Sequence, residues 1–272
     1  LLISSILKSD NFGSQLNLLT LFFFVILSLK NHKNFFLIIL SSPLIIYLIS
    51  TQKLQLFFGI LFLLLFIIVN KNLFFQKKNY LVFLLLIFFY SSGKLSYILL
   101  TIPLFIYFFY IHIKNWKIII LYSLSSFVLI YVPLLILKQI YFGNILAPFF
   151  DNILGQNLEI YKAFTYSVRS SEGWLDNPGD FSLYIRPFIS FDMSTLSSSL
   201  GLVFLLMLIN FKLQKETKFI PIILIILILV TGQILPRYYF EAFLLLAFFY
   251  KPQQSVIKLF IYSQVLVIFL IS

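Results

Sequence analysis

Runs such as 57-FFGILFLLLFIIV-69 and 222-IILIILILV-230 carry no charge and are apolar on every side. A strand half-buried in a soluble protein alternates apolar and polar residues, and an amphipathic helix keeps one polar face; these runs do neither. Hydrophobic residues form 61% of the chain and mean hydropathy is +1.03, leaving too little polar surface to face water all round. The expected solvent is therefore a bilayer, in which backbone polar groups must be satisfied within helices or closed barrels. Barrel strands would alternate, so helices are expected.

Cutting on hydropathy alone gives about ten spans, at 15–29, 35–50, 54–69, 80–90, 95–113, 116–137, 196–209, 219–234, 238–250 and 256–271. Several are short for a bilayer core, the 80–90 segment most of all. The predicted fold is an all-α polytopic transmembrane helical bundle. Residues 1–137 hold about six spans, 138–195 one large extracytoplasmic loop with short interfacial helices, and 196–272 about four spans.

The net charge of +11 is carried by dispersed lysines, without the basic stripe and interleaved aromatics of a nucleic-acid surface. Lys30 and Lys33, then Lys71, Lys77 and Lys78, then Lys114 and Lys117, then Lys212, Lys215 and Lys218, then Lys251 and Lys258 fall in every second link. Cationic links stay in the cytoplasm, so the expected location is the inner (cytoplasmic) membrane with the 138–195 loop outside. The chain opens Leu-Leu-Ile and has no signal-peptide pattern, which reads as the start of a fragment lacking its N-terminal portion.

Residues 138–195 hold six of the nine acids (Asp151, Glu159, Glu172, Asp176, Asp180, Asp192) and two of the three arginines. Within them Leu158, Tyr161, Phe164 and Val168 recur at roughly helical spacing, as in a helix lying on the outer leaflet, and 172-EGWLDNPGD-180 is turn chemistry. The absence of cysteine excludes disulfides, thiolate metal sites and a Cys nucleophile. His32 falls in a predicted cytoplasmic link and His112 at the cytoplasmic end of the 95–113 span, which leaves no His for an outward-facing triad or metal site. No Gly-rich phosphate loop occurs, and no cofactor is evident.

Lysine occurs seventeen times and arginine three, yet Arg169, Arg186 and Arg237 all map to the outer side. A guanidinium holds phosphate or carboxylate with a planar fork that Lys cannot supply. Arg169 and Arg186 serve equally as anion-binding groups or as partners of loop carboxylates. Arg237 stands at a helix entrance with Glu241 one turn on, and an ionisable pair near the membrane boundary is costly to keep without a use. Lys94, after Ser91-Ser92-Gly93, is a phosphate contact or a lysine that snorkels to the interface. Asp176 and Asp180 bracket a turn and could hold a divalent cation, against the commoner turn-forming role. Asp10, the one acid near the N-terminus, is a general-base candidate or a loop and capping residue.

Residues 138-KQIYFGNILAPFFDNI-153 resemble the segment after a central span in bacterial polytopic glycosyltransferases of the GT-C superfamily, with Gly143, Asn144, Pro148 and Phe149 matching. Ser92-Gly93-Lys94-Leu95-Ser96-Tyr97, Pro236-Arg237-Tyr238-Tyr239 and 41-SSPLIIYLIST-51 are similar to other short patterns of that group. The resemblance implies a membrane enzyme that passes a sugar from a polyprenyl-phosphate donor to an acceptor at the extracytoplasmic face, with membrane lipid and the donor as its partners. It implies a catalytic acid in the first outer loop, lying before this chain or supplied by Asp10. It also makes Arg237 the first candidate near the donor phosphate. An envelope polysaccharide polymerase or ligase is the alternative within carbohydrate chemistry, and a transporter or flippase the alternative outside it.

Overall fold

The computed structural model describes residues 12–30, 34–50, 54–71, 73, 76–145, 188, 199–209, 240–250 and 255–271. Every regular element among them is helical, as the unbroken apolar runs require. The helices are α1 (Phe12–Lys30), α2 (Asn34–Leu40), α3 (Pro43–Ser50), α4 (Gln55–Asn70), α5 (Tyr80–Ser92), α6 (Leu95–Ile111), α7 (Trp116–Phe142), α8 (Leu202–Ile209), α9 (Phe240–Phe249) and α10 (Ser255–Ile271). Three-residue 3-10 turns precede α5 and α7. The weakest of the expected spans, 80–90, is a helix of 13 residues. The span expected at 219–234 lies outside the described residues.

The chain divides into two compact units: unit 1 is Leu1–Leu64 with Phe181–Ser272, and unit 2 is Leu65–Asp180. In unit 1, α1 packs on α2 and α3, both α9 and α10 meet α2, and α8 meets α9 and α10. Phe240 through Phe248 of α9 are all buried, consistent with a helix that is apolar all round and central to its bundle. Phe35 stands between Phe24 at 6.0 Å and Phe248 at 5.5 Å, and Phe204 meets Phe243 edge-on at 5.5 Å. At Gly59 the α4 backbone comes so close to α9 that an added Cβ would lie 2.7 Å from the Phe240 ring.

The expected span at 35–50 is not one helix. It stops at Ser41–Ser42 and restarts at Pro43, because Pro lacks the N–H of an interior helical residue and disfavours the α conformation in the residue before it. Pro at the first position then suits the start of α3.

In unit 2, α5 packs against both α6 and α7. Phe108 joins them, with ring centroids 5.6 Å from Tyr80 and 4.6 Å from Phe83. Three short ties fix the two ends. Asn115 Nδ2 donates to the Tyr80 hydroxyl (3.0 Å) at the start of α5, and Tyr131 donates to Ser91 Oγ (2.8 Å) at its end. Tyr107 donates to Asn70 Oδ1 at 3.3 Å, which holds the end of α4 near the end of α6. Hence α5 and α7 run parallel, α6 runs antiparallel to them, and α7 continues about 16 Å beyond Tyr131 at the helical rise.

The stretch Ile113–Tyr141, 29 residues with mean hydropathy 2.3, is long and apolar enough to cross a membrane. Its most apolar window is only 11% buried. Ser126 faces inward while Leu121, Leu124, Val128 and Leu129 face outward, each more than half exposed. The α1 helix has the same inversion: Asn17 and Thr20 are buried, and Leu18, Phe22 and Leu29 are exposed. Apolar surface of this extent calls for an apolar surrounding.

Candidate functional site

The polar end of unit 2 at Tyr131 is built on a tight hairpin. Gly93 closes α5 and Lys94 opens α6 from an extended backbone conformation (φ −161°, ψ 148°), its carbonyl accepting from the Tyr97 amide at 3.0 Å. Tyr90 and Tyr97 stack at 4.7 Å beneath the turn, and both are buried. Lys94 is half-buried. The Ser91 hydroxyl accepts from Tyr131 and donates to the Phe88 carbonyl at 2.9 Å. An ammonium, a phenol and two serines thus share the end of the unit toward which α7 runs. Beyond Tyr131, α7 ends at Gly143 in the left-handed region (φ 65°), where Gly carries no steric penalty, and the Gly143 amide returns to the Gln139 carbonyl at 3.0 Å. Ile145 then folds back to form an apolar groove of about 350 Å³ with Val132, Leu135, Ile136, Gln139 and Ile140.

Glu241 lies in the first turn of α9 in unit 1, buried to 1% exposure. Lys94 and Glu241 belong to different units. Asp10, Arg169, Asp176, Asp180, Arg186 and Arg237 lie outside the described residues.

Unit 1 also contains a polar seam at the α2–α3 interruption. Gln264, the lone amide within α10, donates from Nε2 to the Ser41 carbonyl at 2.6 Å. Its Oε1 accepts the Val203 amide at 3.1 Å, one of the unsatisfied donors in the first turn of α8. The Leu44 amide, displaced from the usual helical partner by the break, donates to the Ser199 carbonyl at 3.1 Å. Gly201, at φ 92°, makes room for the arrangement, since a Cβ there would collide with the Gln264 amide. Asn17 Nδ2 donates to the Leu48 carbonyl at 2.8 Å, tying α1 to α3. The Ser42 hydroxyl is buried and makes no hydrogen bond among the described residues. Sequence inspection marks the Ser-Ser-Pro as a pattern but misses Gln264. Its signal is the one amide within the apolar run 256–271.

At the opposite end of unit 2, His112 Nδ1 lies 3.2 Å from the Tyr80 hydroxyl, which also accepts from Asn115. The imidazole packs against Phe108, and burial holds its pKa below the ordinary His value. Among the described residues no cluster of three or more His, Asp or Glu side chains could hold a metal ion.

No protein-family model, characterised protein or solved structure matches the chain.

Proposed function

We propose that the chain belongs to a multi-pass inner-membrane glycosyltransferase that moves a sugar from a polyprenyl-phosphate donor to an acceptor at the extracytoplasmic face. In this reading the helices form part of a bundle of about ten spans, and 138–195 is its outer loop. The observation that carries the reading is Lys94. It is a half-buried cation in the turn that follows Tyr90 and Ser91, at the end of unit 2 where Tyr131 of α7 meets Ser91, on the helix that leads on toward the most acidic and arginine-bearing part of the sequence. The resemblance of residues 138–153 and 236–239 to the GT-C superfamily points the same way.

Chemically, a carboxylate takes the proton of the acceptor hydroxyl, whose oxygen attacks the anomeric carbon. The bond from that carbon to the phosphate oxygen breaks, and the electron pair leaves with the polyprenyl phosphate. Lys94 is assigned to the phosphate, where its ammonium stabilises the charge that develops on it; Arg237 is a separate candidate for that role, implied by the resemblance. Asp10 is the candidate carboxylate within this chain.

The test is transfer by membranes from cells expressing the full chain, supplied with a panel of radiolabelled polyprenyl-phosphate hexoses. Consumption of one donor, abolished by Lys94→Met together with Arg237→Met while the protein still inserts, is expected. Equal donor consumption by the double variant would remove both residues from the site.

A second reading, a transporter or flippase, is favoured by one feature. Discontinuous helices with polar groups at the break are where such proteins bind their cargo, and α2–α3 is interrupted at Ser41–Ser42. Uptake of a charged or sugar-bearing solute into proteoliposomes would support it.

A further inference from the structure

We infer that the end of unit 2 carrying Lys71, Lys77, Lys114 and Lys117 is a docking surface for the headgroups of anionic phospholipids. Sequence places these lysines in two separate links, 71–78 and 114–117, and the structure brings them to one end. The Tyr107–Asn70 bond holds the end of α4, and with it Lys71, near the last turn of α6. The Tyr80–His112 and Tyr80–Asn115 contacts hold the start of α5, preceded by Lys77, against the link that contains Lys114. All four side chains are exposed.

None of the four has an ion-pair partner among the described residues. Sequence explains why: no Asp or Glu occurs between Asp10 and Asp151. The surface therefore gathers positive charge with no counter-charge between Asp10 and Asp151, and an anionic headgroup is suited to supply one. The starts of α5 and α7 add the positive ends of two helix dipoles at the same place.

Graded polarity identifies the anion as a lipid rather than an acidic protein. Tyr110, Ile113, Ile120 and Leu121 are exposed just along α6 and α7, an apolar surface fit for acyl chains. Trp116 is 47% exposed at the boundary, where an amphipathic ring sits at headgroup level, and Lys117 Nζ lies 5.7 Å from its ring centroid. Exposed cationic, aromatic and apolar side chains thus adjoin one another over residues 113–121, as phosphate, glycerol and acyl chains do in one lipid molecule. Basic surfaces between helix ends at the cytoplasmic leaflet bind anionic headgroups through this arrangement. The inference requires the membrane-embedded reading but not sugar transfer, and it applies equally to a transporter.

The experiment uses the full chain with Trp174→Phe, leaving Trp116 as the sole tryptophan reporter. The protein is reconstituted in phosphatidylcholine vesicles containing rising fractions of a brominated lipid, either phosphatidylglycerol or phosphatidylcholine, and quenching of Trp116 emission is followed. Half-quenching is expected at a roughly ten-fold lower fraction of brominated phosphatidylglycerol. Lys114→Gln with Lys117→Gln, which removes half of the four cations and both nearest Trp116, should cut the difference to about three-fold or less, while Lys114→Arg with Lys117→Arg should keep it. Lys258→Gln, which removes an exposed lysine of unit 1, should change nothing.

Equal half-quenching by the two lipids in the parent protein would overturn the inference. So would an equal loss of preference in Lys258→Gln, since net charge alone would then account for it. Binding of a polyglutamate peptide that leaves the two lipids indistinguishable would assign the surface to an acidic protein instead. The glutamine pair lies at exposed positions, and far-ultraviolet dichroism matching the parent establishes that the helices are intact.

Discussion

Replacing Gln264 by Leu conserves volume and removes both hydrogen bonds that span the α2–α3 interruption. The Ser41 carbonyl loses its 2.6 Å partner and the Val203 amide its 3.1 Å partner. An unsatisfied buried donor or acceptor costs about 1–3 kcal/mol. The Gln264 contacts are part-buried, so the low half of that range applies and the pair should cost about 2–4 kcal/mol. For a chain of this size that corresponds to a fall in Tm of roughly 5–15 °C. The assay is thermal unfolding of the purified protein in detergent, followed by dichroism at a helix-sensitive wavelength. Gly201→Ala should also destabilise, and combining it with Gln264→Ala should cost less than the sum, because the steric conflict goes when the amide goes. A Gln264→Leu protein that melts with the wild type would refute the claim that this amide holds the break together.

Gly59→Ala places a methyl 2.7 Å from Phe240 and 2.9 Å from Leu244, and should destabilise unit 1 by about 1–3 kcal/mol, read as a lower Tm in detergent. His112 has a lowered folded pKa, so the unfolded chain takes up its proton first as pH falls from the ordinary value of 6.5. Stability should decline through that window and be flatter with pH in His112→Asn, as thermal melts at pH 7.5 and below will show. Arg237→Lys keeps the charge but loses the planar fork; on the proposed function it should lower sugar transfer about ten-fold or more with unchanged membrane insertion, and unchanged turnover would take it out of the site.

Helical class and most helix positions were legible because they follow from backbone satisfaction in an apolar solvent, a constraint that each apolar run reports locally. The ends of α4 through α7 lie within a few residues of the hydropathy cuts, with α7 extended to Phe142 until Gly143 stops it. The α2–α3 break was the miss. Pro43 signals it, but Pro occurs inside α6 at Pro103 and α7 at Pro133 without ending either helix. What differs at Pro43 is non-local: Gln264 donates to the Ser41 carbonyl and the Ser199 carbonyl accepts from the Leu44 amide, partners more than 150 residues away for what the broken ladder leaves open. A span assignment made segment by segment has no access to such partners. Of the residues marked for chemistry, Glu241 and Lys94 carried legible signals, an acid beside a helix entrance and a lysine after a Ser-Ser-Gly turn. Their burial came only from packing.

The same break bears on which function the bundle serves. Helices α2 and α3 are 7 and 8 residues long, about 10 and 12 Å, so neither crosses a bilayer core of about 30 Å alone. Irregular backbone at membrane depth survives only where protein or water satisfies it. Here protein does so: the Ser41 carbonyl, the Leu44 amide and the Val203 amide all have partners from other segments of unit 1. A transport cycle that moved α3 past α10 would have to break the Gln264 bonds on every turnover, and Gly201 fits only the arrangement in which that amide is seated. A break used for cargo would instead leave its carbonyls and amides directed at a cavity. The seam at Gln264 therefore behaves as a fixed joint within unit 1. That favours a static scaffold presenting a site at one face, as sugar transfer requires, over alternating access through the middle. If hydrogen exchange found the Leu44 and Val203 amides opening far more readily than those of α9, the joint would not be fixed and the balance would move to the transporter reading.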